Sequence, residues 1–352
     1  MVMESLKLCL MIEGGVKLQE VDEILVELGF DRRFNDLAWY RWSSKYESTL
    51  GCEFSIESGE SIEINGNNIS KSLLTAVTYR GRSHADLEMQ NKVISKLQQK
   101  FGGVLCDERG LPTDFIENTL PQLTSTEIAC DLEYARFLSN LTRFRRLIEE
   151  VDDKLVEQYQ LVEESAVKEI LSTSLSHDVP LLRNNTLIPF AVASLEDFFK
   201  NFLVKNLETN EKARDVIFQN DRKIKYSEIK EILSGEKSLI DMEMDFYNFQ
   251  NLESVNNVYK KFLKFDIFKE VLQKEMLIEK EKVTVLSVLS ELITIRHKVI
   301  HEASLDYTLG KKKMNQYASF LSLFGEEFMN KFRDKMGLRN AFIELDIEVI
   351  KE

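Results

Sequence analysis

Four nitrogen-bearing side chains crowd into one short stretch, ELITIRHKVIHEAS, residues 291–304: Arg296, His297, Lys298 and His301. An imidazole titrates near ~6.5 and can take or give a proton at neutral pH. A guanidinium is always charged, and its planar fork suits an oxyanion whose charge grows during a reaction. Three readings of this cluster stand open. Cations in the last turn of a helix favour its macrodipole, so the group can be a C-terminal cap. His297 and His301, four apart, can form half of a zinc site, but His84 and His177 lie in distant segments and no H-E-x-x-H pattern is present. In the third reading Arg296 and His301 are a catalytic pair, the arginine holding an anion and the histidine moving a proton.

The elements that must present this cluster are helical. KVTVLSVLSELITIRHKVI places Leu286, Leu289, Leu292 or Ile293 and Val299 or Ile300 on one stripe, and Arg296 falls seven residues after Leu289. Its stem is therefore expected to be partly buried, which is expensive unless an anion meets the guanidinium. Upstream, NTLIPFAVASLEDFFKNFLVKNL sets Ile188, Val192, Leu195, Phe198 or Phe199 and Phe202 at helical spacing. Glu196 in that helix and Glu291 before the cluster can orient it from behind, or can simply face solvent. Downstream, Lys311, Lys312 and Lys313 open a helix. Cations there oppose the helix dipole, which suggests either a phosphate-guiding role or an ordinary basic helix start. His297 and Lys298 are auxiliary candidates for the same anion.

Around these helices the chain reads as α+β. Residues 1–120 form a small α/β region: a strand over SLKLCLMIEG, a helix over LQEVDEILVELGF, a hairpin within LGCEFSIESGESIEING, a strand at LLTAVTYRG, a helix over ADLEMQNKVISKLQQKF and a short strand at GGVLCDE. That order is loosely ferredoxin-like. Two of the four prolines fall in CDERGLPTDFIENTLPQLTS, which marks the boundary. Residues 121–175 read as a helical connector, 176–337 as a helical bundle, and 338–352, from the alternation in AFIELDIEVI, as a terminal strand or tail.

The formal net charge of −13 argues against coating nucleic acid by bulk electrostatics and leaves room only for a local basic site. Cys9, Cys52, Cys106 and Cys130 are scattered without metal-binding spacing and read as buried free thiols. The opening MVMESLKLCLMIEGG has no basic n-region or cleavage site, and no apolar run is long enough for a bilayer. A cytoplasmic, cofactor-free protein with no membrane partner is expected.

Arg296 and His301 form R-x4-H at the end of an apolar helix. Together with LLRNNTLIPFAVASLEDFFKNFL and NLESVNNVYKKFLKFDIF upstream, in that order, this resembles the HEPN superfamily, in particular the RiboL-PSP and MAE_28990 types. The resemblance covers roughly residues 175–335. It implies a metal-independent endoribonuclease of the toxin or antiphage-defence kind. The RNA 2′-hydroxyl would attack its neighbouring phosphodiester, leaving a 2′,3′-cyclic phosphate and a 5′-hydroxyl. It also implies a homodimer whose two motifs face one cleft, and it suggests an antitoxin or regulatory partner. The alternative is a non-catalytic dimerisation or RNA-binding scaffold of the same type. Arg183 has a counterpart in similar domains. Some of those toxins carry a tyrosine two residues after the histidine; here that position is Ala303, and the nearest tyrosine is Tyr307.

Overall fold

The computed structural model describes residues 4–14, 16–33, 38–58, 62–64, 67–69, 71–149, 153–219, 223–278 and 281–345. The chain divides into two compact units. One comprises the described residues within Met1–Asp131 and Arg339–Val349, the other those within Leu132–Leu338.

The first unit is built on strands β1 (Ser5–Glu13), β2 (Asp31–Arg32), β3 (Trp39–Trp42), β4 (Cys52–Ser58), β5 (Ile62–Ile64), β6 (Asn67–Ile69), β7 (Lys71–Tyr79) and β8 (Val104–Cys106), with helices α1 (Leu18–Glu27) and α2 (His84–Phe101). Six strands form one sheet in the order β2-β3-β4-β7-β1-β8, every neighbouring pair antiparallel. Alternation along β1 sends Leu8, Leu10 and Ile12 into a core shared with Val21, Ile24 and Leu25 of α1 and with Val93, Ile94 and Leu97 of α2. The start of α2 is fixed by a capping box between Ser83 and Asp86. The fully buried Asp86 also accepts from the Ser48 hydroxyl at 2.5 Å and the backbone N–H groups of Thr49 and Leu50, both at 3.2 Å.

The expected hairpin after Gly51 is corrected. β4 pairs with β3 and β7, while β5 pairs with β6 in a separate ribbon. The reason is Phe54, whose ring meets Tyr40 of β3 at a 6.2 Å centroid distance and needs neighbours on both sides to be buried. The aromatic run WYRW hides β3 from any alternation pattern. The terminal segment is also corrected: Ala341–Glu344 is a short helix, because the Asn340 side chain accepts from the N–H groups of Phe342 and Ile343. Residues 346–352 lie outside the described residues.

The second unit is helical apart from one small hairpin. It contains most of α3 (Ser125–Leu147), then α4 (Asp153–Leu161), α5 (Ser165–Leu175), α6 (Val179–Thr209), α7 (Glu211–Phe218), α8 (Tyr226–Leu233), α9 (Leu239–Met244) and α10 (Leu252–Leu263). A π turn follows (Phe268–Leu272), then β9 (Glu275–Ile278), β10 (Glu281–Thr284), α11 (Val285–His301) and α12 (Lys311–Met336); the short helix α13 (Ala341–Glu344) belongs to the first unit. The β9–β10 hairpin occupies residues whose alternation merges with the apolar helix that follows. Thr284 separates them by capping the Ser287 N–H at 3.3 Å.

Aromatic packing joins α6 to α12. Phe198, Phe199 and Phe202 of α6 meet Phe324, Phe328 and Phe332 of α12, with Phe202–Phe328 centroids 5.2 Å apart and Phe202–Phe332 4.8 Å. Tyr259 of α10 joins them and donates to the Phe199 carbonyl at 2.7 Å. A Cβ on Gly325 would stand 3.0 Å from the Phe137 and Tyr134 rings, so glycine permits the close approach of α3 to α12. No helix among the described residues is long and apolar enough to cross a membrane.

Candidate functional site

The four cluster residues occupy the last two turns of α11. Its buried face is Val285, Val288, Leu289, Leu292 and Ile295. That shifts the expected stripe: Leu286 is only half-buried and Ile300 is 48% exposed. Arg296 follows directly on Ile295 and is half-buried, whereas His297, Lys298 and His301 are exposed.

Arg296 makes its hydrogen bond at the surface, to the exposed Gln250. Its Nη1 donates to Gln250 Oε1 at 3.4 Å, and Gln250 in turn hydrogen-bonds Glu196 of α6. Burial pushes the Glu196 carboxyl above its ordinary range, and the Arg296 charge and the Gln250 hydrogen bond only partly offset this. Glu196 Oε1 is buried and has no hydrogen-bond partner. The polar residue in the apolar helix therefore sits behind the arginine, linked to it by an amide.

The two histidines lie on the other side of the helix end. Their ring centroids are 4.7 Å apart with planes inclined by 45°. Five positions along a helix turn a side chain by about 140° and advance it by about 7.5 Å. Within one chain Arg296 and His301 accordingly point apart, and no hydrogen bond or ion pair joins them among the described residues. Among those residues no group of three His, Cys, Asp or Glu could hold a metal ion.

The helix stops immediately after His301. The Ser304 N–H returns to the Lys298 carbonyl at 3.2 Å and Ala303 takes φ +49°, a left-handed conformation usually given to glycine. The loop that follows is anchored by α6. Asn185, fully buried, accepts from the Asp306 N–H at 2.8 Å and donates to the Asp306 carbonyl at 3.1 Å. Asn184, equally buried, donates to the Leu309 carbonyl at 2.9 Å. Tyr307 packs on Tyr159 of α4 at a 5.3 Å centroid distance.

Lys313 belongs to this brace. Its Nζ lies 3.1 Å from Glu291 and 3.8 Å from Asp306, and donates to the Thr308 hydroxyl at 3.0 Å. Lys313 and Glu291 thus join α12 to α11, and the carboxylates explain a lysine in the first turn of α12. Lys312 is exposed and Lys311 half-buried. Arg183 is paired with Glu149 at 2.7 Å on an exposed surface, away from the cluster's contacts. His84 pairs with Glu88 at 3.8 Å in the first unit.

Gln250, Asn184 and Asn185 were not singled out by sequence. The adjacent asparagines inside an otherwise apolar helix are a readable signal, since buried amides require partners. Gln250 sits in a polar loop with nothing to set it apart. No protein-family model, curated protein or solved structure matches the chain.

Proposed function

We propose that the chain is a metal-independent endoribonuclease of the toxin or antiphage-defence kind, with a HEPN-type helical unit acting as a dimer in the cytoplasm. The observation that carries this reading is the division of labour at the end of α11. Arg296 is backed by Gln250 and Glu196, while His301, its ring tilted against that of His297, stands in solvent. In this reading the arginine grips the scissile phosphate and offsets the charge on its oxygens. His301 removes the 2′-hydroxyl proton or delivers one to the 5′ oxygen. His297, Lys298, Lys311 and Lys312 face the RNA backbone, and Lys313 with Glu291 steadies the loop instead.

The first unit serves as sensor, regulator or substrate-positioning module. We read it as a ferredoxin-like sheet extended by two strands. The order β8-β1-β7-β4, with α1 after β1 and α2 joining β7 to β8, supports this.

One observation favours a second reading, a non-catalytic RNA-binding or dimerisation scaffold: Arg296 and His301 diverge within one chain. A cleavage assay separates the two. Purified protein with structured RNA and excess EDTA is expected to give fragments ending in 2′,3′-cyclic phosphate, and His301→Ala to lose at least ~10²-fold in rate. RNA binding without cleavage by both proteins leaves the scaffold.

A further inference from the structure

The outer face of the first unit's sheet carries two thiols side by side. β1 and β8 run antiparallel with Leu10 opposite Leu105 and Cys9 opposite Cys106. The leucine pair points into the core, so the cysteine pair shares the opposite face. Cys9 and Cys106 are 2% and 1% exposed. The Cys9 sulfur lies 3.6 Å from the Thr75 hydroxyl, and Cys9 is among the groups that raise the Cys106 thiol.

Directly opposed residues of an antiparallel pair hold their Cβ atoms about 4.5–5.5 Å apart. A disulfide needs about 3.8 Å. A small inward shift of β8 closes that gap, and β8 is suited to it: three residues long, at the sheet edge, and preceded by Gly102 and Gly103, both with positive φ. The other two cysteines stand apart. Cys52 belongs to the inner core and Cys130 to α3.

We propose that Cys9 and Cys106 are a reversible redox pair, closed to a cross-strand disulfide by a peroxide and reopened by a dithiol reductant. One thiolate attacks a peroxide oxygen, giving a sulfenic acid and, with a proton, one water. The second sulfur displaces the hydroxyl as a second water, so two thiols and one hydrogen peroxide become one disulfide and two waters. Burial raises both thiols above their ordinary range, so the reaction waits on local opening of the edge strand. Once closed, the bond fastens the edge strand β8 and the Cys106–Pro112 bridge to the neighbouring β1.

The test is to treat the intact chain with hydrogen peroxide, alkylate it, and map its peptides without reduction. The expected product is two hydrogens lighter, carries a single cross-link between the peptides containing Cys9 and Cys106, reverts with dithiothreitol, and melts at a higher temperature than the reduced form. Cys106→Ala should give no cross-link; if that variant does not fold, the wild-type map alone decides. Four freely alkylated thiols after peroxide, oxidation to sulfinic acids without a bridge, or a bridge to Cys52 or Cys130 would overturn the proposal.

Discussion

Arg296 and His301 turn away from each other along α11, so the proposed dimeric site would take its arginine from one chain and its histidine from the other. Complementation tests this directly. Arg296→Ala and His301→Ala, each alone, should drop RNA cleavage by ~10²–10⁴-fold. Co-expressed in equal amounts and randomly paired, half of the dimers are mixed. In a mixed dimer one site has lost both groups and the other keeps the intact arginine and the intact histidine. With two-fold symmetry the mixture should therefore recover about a quarter of the wild-type rate. The assay is initial-rate cleavage of a fluorescent RNA in EDTA, with the pairing fraction checked by native mass spectrometry on differently tagged chains. A mixture that forms mixed dimers yet stays at the level of the single variants refutes the shared-site reasoning.

Glu127 accepts from Arg339 and Thr124, and these bonds outweigh burial to hold its carboxyl at about 2, against an ordinary 4.5. Such a shift is worth at most about 3 kcal/mol at neutral pH, and the 44% exposure of the Arg339 side chain reduces that to about 1–2 kcal/mol. The stabilisation is full above pH 4.5 and lost as pH falls toward 2. Urea unfolding of Glu127→Gln should thus show a deficit at pH 7 that shrinks below pH 4; a deficit constant with pH counts against the ion pair. Asn185→Ala leaves the Asp306 N–H without its buried acceptor and should cost about 2–3 kcal/mol, with faster proteolysis within residues 302–308. Phe328→Ala opens the ring cluster between α6 and α12 and should cost about 3–5 kcal/mol by denaturant titration; a loss under 1 kcal/mol means the cluster is not close-packed.

Periodicity made the long elements legible. The apolar positions of α1, α6 and α12 repeat at helical spacing because each buries one continuous stripe, and β1 alternates because only one of its faces meets the helices. What stayed hidden depended on partners far along the chain. β3 has no alternation of its own, and Tyr40 acquires an inward face only once Phe54 is beside it. Lys313 looked like part of a phosphate-guiding run, because nothing local reveals that Glu291 and Asp306 converge on it. Glu196 is the opposite case: an acid beside the apolar stripe of α6 invites suspicion, and its place near Arg296 through Gln250 gives that suspicion a physical form. The offset between Arg296 and His301 follows from their spacing alone.

The pairing of Glu127 with Arg339, together with the Ala341 N–H donating to Asp131 at 2.6 Å, bears on the order of synthesis. Roughly two hundred residues separate the partners, so at ribosomal speeds the early segment waits about ten to forty seconds for its last contacts. During that interval Glu127 has Thr124 but not Arg339, and Asp131 lacks the Ala341 N–H. A chain lacking residues 339–345 should leave residues 122–131 without these long-range partners, and limited proteolysis there should be faster than in the intact chain.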